Sequence, residues 1–173
     1  MRINKATATY LIWFVLVSAS SAYAEDSRAV AVQADVKRCL EAVYSADVET
    51  SLRCTHPKVI ETMGGRPKAA ETLSKTYSTF KQAGMKLDSL DFPKAPTFFS
   101  DSDNDYCFVP TLSVIERGGK KAESLNFQMG VRSKGGGKWT YFEGSRLNKE
   151  NVRSLFPSFP ADVIFPGIYR KPM

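Results

Sequence analysis

The spacing of apolar residues changes once along this chain, at Gly84, and that change constrains the fold more than any other feature of the sequence. Before Gly84, apolar residues recur every three or four positions, which is the period of an amphipathic helix. After Gly84, they alternate with polar residues, as in a β-strand with one buried face. This order predicts an α+β fold in which helices come first and an antiparallel sheet follows.

Local signals place the helices. Asp47 can cap a helix, Pro57 suits a first helical position because proline lacks an N–H, and Gly84 suits the position just after a helix. The predicted helix Pro67–Ala83 carries Leu73, Tyr77 and Phe80 on one face. We predict helices over Asp26–Tyr44, Asp47–Arg53, Pro57–Met63 and Pro67–Ala83, and a short one after the strands over Lys149–Phe156.

Short turns rich in Gly and Asp separate the predicted strands, which implies antiparallel neighbours. Along the third strand Phe127 and Met129 share an apolar face with Leu125 and Val131, and such a face needs a cover. We expect the N-terminal helices to supply it. The predicted strands are Met85–Phe92, with Thr97–Ser100 as its continuation, then Tyr106–Ile115, Glu123–Arg132 and Lys138–Glu143.

Residues 1–24 have the pattern of a secretory signal peptide. Arg2 and Lys5 form a basic start, an apolar run follows, and Ala22-Tyr23-Ala24 is the small-x-small pattern that signal peptidase cleaves. The apolar run is about ten residues, whereas a membrane span needs about 20. We therefore predict a periplasmic or secreted protein whose residues 25–173 form one domain without a membrane span.

The charge of the chain is mildly basic. The full sequence has 24 Lys and Arg against 18 Asp and Glu, a net charge of +6, and removal of the signal with Arg2 and Lys5 leaves +4. The basic residues are scattered among acidic ones, while a nucleic-acid binder usually concentrates them on one face. We therefore expect no nucleic-acid partner.

Three cysteines would enter an oxidising compartment, where one pair can bridge and one thiol is left over. We favour a Cys39–Cys54 disulfide, since both lie in neighbouring predicted helices while Cys107 lies in a predicted strand. Three buried thiols remain the alternative. The cysteine spacing fits no metal motif and the chain has one histidine, so neither a metal site nor a cofactor is expected.

The order of three helices and four strands, with GGRPKAAETL opening the helix Pro67–Ala83 and GGKWTYFEG in the last strand, resembles the nuclear transport factor 2-like superfamily. That superfamily includes ketosteroid isomerases, SnoaL-like polyketide cyclases and exported proteins of unknown role. The resemblance covers about Ser27 to Gly144. It implies a cystatin-like cone, in which a strongly curved antiparallel sheet wraps around a long helix and leaves an apolar pocket. Many members carry a short strand where this sequence predicts the helix Pro57–Met63.

The resemblance favours a non-catalytic binding protein for a small hydrophobic or amphipathic ligand. A homodimer through the sheet is a further partner to test. Two other functions stay open: an isomerase or cyclase using a pocket carboxylate and a tyrosine, and an inhibitor or immunity module that binds another protein. The expected ligand-binding residues are Leu73, Tyr77 and Phe80 of the long helix, Phe127 and Met129 of the sheet, and Trp139 and His56.

His56, the single histidine, directly precedes Pro57. It can begin a helix, contribute a polar contact at the pocket rim, or act as a general base. The helix start is the simplest interpretation, because the positive end of a helix disfavours a protonated imidazole at that position.

Overall fold

The computed structural model describes residues 27–173, so the predicted signal peptide and its cleavage site lie outside the described part of the chain. The elements follow the order that the sequence predicts, with helices first and strands after them. The helices are α1 (residues 27–44), α2 (Val48–Cys54), α3 (Pro57–Thr62), α4 (Arg66–Gln82) and α5 (Lys149–Leu155), with a 3-10 turn at Gly144–Arg146. The strands are β1 (Lys86–Asp91), β2 (Thr97–Ser100), β3 (Asn104–Arg117), β4 (Lys120–Ser133), β5 (Thr140–Glu143) and β6 (Tyr169–Pro172).

The predicted α+β class is confirmed, and local chemistry accounts for the helix boundaries. The Asp47 carboxylate accepts a hydrogen bond from the Thr50 amide at 2.9 Å and caps α2. Gly65, at φ 88°, provides the backbone turn from which α4 starts. Gly84, at φ 61°, follows the end of α4 and leads into β1.

The sheet is built on one long hairpin, β3 and β4, whose 14-residue strands pair along their whole length. Gly118 and Gly119 form the two-residue turn, and both have positive φ, as a type I′ hairpin turn requires. β1 and β2 pair with successive parts of the outer edge of β3, while β5 and β6 pair with successive parts of the outer edge of β4. The result is a six-stranded antiparallel sheet.

Both faces of the sheet are buried. On one face, Val32 and Val36 of α1 pack with Cys107, Val109 and Tyr141. We call this the helix face. On the opposite face, the strands pack against α5 and the C-terminal segment; we call this the tail face. Its buried core is Tyr106, Phe108, Phe127, Met129, Val131, Phe142, Val152, Phe156 and Phe159.

The expectation that the N-terminal helices cover Phe127 and Met129 is wrong. These side chains are 2% and 0% exposed, as a covered face requires, but their cover comes from the C-terminal end of the chain, with Phe156 and Phe159 in the same cluster. The register explains the difference. Cys107 pairs with Gly130, and Phe108 pairs with Met129. Because successive side chains of a strand point to opposite faces, these adjacent positions of β3 belong to two separate cores.

The helix α4, which corresponds to the predicted helix Pro67–Ala83, has a different role from the one expected. α1 lies on the helix face of the sheet, whereas α4 packs against α2 and α3. Within α4, Ala69 and Tyr77 are buried and most other positions are partly or fully exposed. Within residues 27–173 no helix combines the length and apolar character that a bilayer crossing needs.

Candidate functional site

A cavity of about 250 Å³ lies where α1, α2, α3 and α4 meet the edge formed by β4 and β5. Its walls are mainly apolar, which is typical of small-molecule sites. A larger cleft of about 580 Å³ beside α1 is lined by the charged residues Asp35, Arg38, Arg53 and Lys138 and differs in character. The apolar wall of the smaller cavity includes Leu40, Val43, Leu52, Val59, Met63 and Leu73.

A disulfide forms part of the cavity wall. Cys39 of α1 and Cys54 of α2 are bonded, with their Cα atoms 5.8 Å apart, and both residues line the cavity. They are the two cysteines that the sequence analysis pairs. Cys107 is a free, fully buried thiol, and burial raises its pKa to about 12. The disulfide therefore fixes α1 against α2 at the cavity, while Cys107 stays in the unreactive thiol form.

Two of the polar side chains on the wall, Tyr77 and Ser51, are joined by a hydrogen bond. The Tyr77 hydroxyl donates a hydrogen bond to Ser51 Oγ at 2.7 Å, and Ser51 Oγ donates to the Asp47 carbonyl at 2.9 Å. Tyr77 is 4% exposed, and burial raises its pKa above the ordinary tyrosine value. The pair therefore joins α4 to α2 as neutral groups at neutral pH.

Gln128 is the polar group on the wall that lacks a partner. It lies on the helix face, opposite Val109 in β3 and Glu143 in β5, and is 8% exposed. No hydrogen bond joins its carboxamide to another described residue. In the described part of the chain, Arg132 Nε is the one side-chain nitrogen or oxygen that is both sealed in protein and unpaired. The Gln128 carboxamide is therefore not sealed off, and the open space beside it is the cavity.

Glu143 brings a carboxylate to the exposed side of the same cavity. It accepts hydrogen bonds from the Ser145 amide at 3.2 Å and from Ser145 Oγ at 2.6 Å, and Asn126 also donates to it. Among the described residues that line the cavity there is no Lys, Arg or His. The polar part of the wall therefore combines neutral groups with one negative charge.

His56 begins a helix, as its simplest interpretation predicts. Its Nδ1 accepts a hydrogen bond from the Lys58 amide at 3.2 Å and caps α3. Its ring stacks on Phe142 at 4.6 Å and meets the edge of Phe156 at 5.4 Å. Burial, helped by the charge of Lys58, lowers the His56 pKa to about 4, so the ring is neutral at pH 7.

Two of the seven expected ligand-binding residues, Leu73 and Tyr77, line the cavity. The other five lie elsewhere in the described structure and do not line this cavity. Phe80 lies 6.3 Å from the Tyr77 ring without reaching the wall, and His56 packs on Phe142 and Phe156. Phe127 and Met129 belong to the tail face, and Trp139 lies near Phe98 and beneath Arg132, beside the charged cleft.

Several cavity residues were not predicted from the sequence. Two of them, both in α1, had a signal in the sequence, and a third had none. Leu40 and Val43 lie on the apolar stripe of α1, so the stripe predicted their burial but not the cavity beyond them. Gln128 had no such signal. It belongs to the polar positions that alternate with apolar ones along β4, and a glutamine at such a position is normally solvated. It lies on a cavity wall because this part of the sheet is covered on both faces.

Two tyrosine–carboxylate pairs lie outside the cavity wall or only touch it. Tyr141, which lines the cavity, donates to Asp35 at 2.9 Å, and Asp35 also pairs with Arg38. Tyr106 donates to Asp101 at 2.6 Å, and Asp101 also accepts two backbone N–H groups of the β2–β3 turn. In each pair, burial makes the largest contribution to the raised tyrosine pKa, and the adjacent carboxylate raises this pKa further. Both carboxylates therefore have several protein partners, as structural groups do.

Residues 27–173 contain no cluster of three or more His, Cys, Asp or Glu side chains arranged to hold a metal ion. The fold and site define an α+β protein in which helices and a C-terminal segment enclose a six-stranded antiparallel sheet, with a small apolar cavity at one sheet edge. Comparison of the chain with protein-family models, with curated proteins and with solved structures found no match.

Proposed function

We propose that this chain is an exported, non-catalytic binding protein that holds a small apolar ligand in the 250 Å³ cavity, on a cystatin-like cone of the nuclear transport factor 2-like type. The observation that carries the proposal is the composition of the wall: six aliphatic or thioether side chains and a disulfide around a few neutral polar groups. The helix–strand order is compatible with such a cone.

The cavity volume sets the size of the ligand. A 150 Å³ apolar cavity is known to bind benzene, so a cavity of 250 Å³ has room for about ten non-hydrogen atoms. A binding free energy of about 0.6 kcal/mol per atom, between the bounds of about 0.3 and 1.5, gives an expected Kd on the order of 10 to 100 µM for a ligand of that size. A two-ring aromatic compound is a suitable probe.

Export is part of the proposal. The Cys39–Cys54 disulfide supports it, because disulfides persist in oxidising compartments and are rare in the cytosol. The pattern of residues 1–24 supports it independently.

A cavity-filling substitution tests the binding function. In Leu73→Trp, the larger side chain occupies the space at the wall, and we expect calorimetric titration with 2-naphthol to show at least tenfold weaker binding. Ile164→Trp is the matched control, because Ile164 is 85% exposed and lies outside the lining. Circular dichroism at the titration temperature verifies that both variants are folded. Equal binding by Leu73→Trp and the unchanged protein would contradict this site.

A protein-binding function is the second candidate, and the C-terminal segment favours it. Ile164, Ile168 and Met173 are 85%, 50% and 71% exposed, so this segment offers several apolar side chains to a partner. Native mass spectrometry of protein purified from its own host separates the two functions. A retained small molecule supports the cavity, a retained protein supports the C-terminal segment, and a doubled mass supports the homodimer predicted through the sheet.

The isomerase or cyclase alternative is less well supported. It needs a carboxylate that can exchange a proton with a ligand in the cavity, facing a tyrosine. Asp35 and Asp101 are held by protein partners, Glu143 already accepts three hydrogen bonds, and the Tyr77 hydroxyl is bonded to Ser51.

A further inference from the structure

We propose that the cavity selects uncharged ligands that carry one hydrogen-bonding group, that this group binds the Gln128 carboxamide, and that anionic ligands are excluded. The inference rests on the proposed binding function and names the ligand class of the same cavity. It follows from the distribution of free and satisfied polar groups on the wall.

The first step concerns Gln128. Its side chain is more than nine-tenths buried, lines the cavity and has no hydrogen-bond partner among residues 27–173. Buried polar groups in folded proteins are almost always paired with protein or water, so an unpaired carboxamide that faces a cavity is available to pair with a ligand that enters it. A carboxamide both donates and accepts hydrogen bonds, so a hydroxyl, a carbonyl or an amide of the ligand can pair with it.

The second step is that the remaining wall groups offer a ligand little hydrogen bonding. Tyr77 donates to Ser51, and Ser51 donates to a backbone carbonyl, so the donor protons of both hydroxyls are used. Thr55 Oγ1 donates to the Ser51 carbonyl at 2.8 Å. A ligand with one polar group therefore matches the free carboxamide, whereas a second acceptor on the ligand would find no free hydroxyl donor on the described wall, where Tyr141 also donates to Asp35.

The third step concerns charge. An anion moved from water into an apolar cavity requires a cationic partner or several donors, and the described lining has no Lys, Arg or His. Glu143 adds a negative charge at the exposed side, and like charges repel. A carboxylate ligand therefore loses hydration without gaining a compensating group.

Three probes with the same ring system test this selectivity: naphthalene, 2-naphthol and 2-naphthoate, each titrated at pH 7 and followed by NMR. We expect 2-naphthol to bind at least tenfold more tightly than either of the others. In Gln128→Leu, which keeps a side chain of similar size, the advantage of 2-naphthol over naphthalene is expected to fall below twofold. In Glu143→Gln, the ratio of 2-naphthoate affinity to 2-naphthol affinity is expected to rise at least threefold, because the negative charge at the exposed side of the cavity is removed.

The outcomes separate the two proposals. If none of the three probes binds, the proposed binding function fails and this inference fails with it. If naphthalene or 2-naphthoate binds the unchanged protein as tightly as 2-naphthol, the binding function stands and the selectivity is overturned. If Gln128→Leu folds and keeps the preference for 2-naphthol, Gln128 is not the pairing group. If that variant does not fold, Gln128→Met makes the same test, and the probe series on the unchanged protein decides the selectivity.

Discussion

The Tyr77 hydroxyl donates a 2.7 Å hydrogen bond to Ser51 Oγ, across 26 residues of chain, and so joins α4 to α2 at the cavity wall. The bond is buried, with Tyr77 4% and Ser51 4% exposed. Since α4 packs against α2 and α3, this contact helps to set the width of the cavity.

Tyr77→Phe removes that bond while keeping the ring. We expect the free energy of unfolding to fall by about 1 kcal/mol, because a typical intramolecular hydrogen bond contributes about that much and Ser51 keeps its bond to Asp47. Urea denaturation measures the change. Tyr169→Phe is the matched control: its 2.7 Å bond to Glu123 is exposed, so the loss there should stay below about 0.5 kcal/mol. Equal losses of unfolding free energy in the two variants would show that the buried Tyr77 bond stabilises the protein no more than the exposed Tyr169 bond does.

Reduction of the disulfide is expected to destabilise the protein by about 3 kcal/mol, the chain-entropy value for a loop of about 15 residues. Cys39 and Cys54 are separated by 15 positions. Guanidinium denaturation with and without a reducing agent measures the difference. Cys107→Ala should lose the same amount on reduction, because Cys107 takes no part in the bridge. A thiol assay should find one thiol in the unfolded, unreduced protein and almost none in the folded protein.

His56 is expected to make stability fall as the pH is lowered. Its pKa is about 4 in the folded protein, below the ordinary 6.5, so between those values the unfolded chain binds a proton that the folded chain does not. This lowers the free energy of unfolding by about 2 kcal/mol from pH 7 to pH 5. His56→Asn keeps a capping acceptor and removes the titration, so its unfolding free energy should change less over that interval. If the unfolding free energies of the unchanged protein and His56→Asn fell equally between pH 7 and pH 5, the lowered His56 pKa would be contradicted.

Gly130 is required by a close approach within the helix-face core. A Cβ at this position would lie 2.5 Å from Cys107 Sγ and 3.0 Å from Tyr141 Cε1. Gly130→Ala should therefore cost about 1 to 3 kcal/mol, as overpacking of a core does. The cost should be smaller in a Cys107→Ala background, since the nearest atom is then absent. Gly167→Ala is the control, because no atom lies within 4 Å of its Cβ position, and thermal unfolding compares all the variants.

Local signals predicted the elements well, because the groups that start and stop them lie within a few residues in sequence. Asp47, Pro57 and Gly84 mark helix ends by their own chemistry. The strand β6 was missed for the opposite reason. Tyr169–Pro172 shows no alternation and contains a proline, and it is a strand because Tyr169 pairs with Leu125 far away in the chain.

The covered face of the sheet could not be predicted from β4 alone. Alternation shows that Phe127 and Met129 share a face, but it does not say which element covers that face. The continuous apolar run from Tyr106 to Val109 in β3 was the available signal, because such runs occur in strands that are buried on both sides. Two buried faces require two covers, and the aromatic residues of the C-terminal segment supply the second.

Methyl NMR of methionine tests the central claim, since Met63 and Met129 report on the cavity and on the tail-face core. Met63 lines the cavity, while Met129 is fully buried in the tail-face core. On titration with 2-naphthol, the Met63 methyl signal, assigned with Met63→Leu, should shift in a saturable way while the Met129 signal stays in place. A saturable shift of Met129 with Met63 unchanged would place the ligand in the tail-face core and not in the cavity, and would contradict the account.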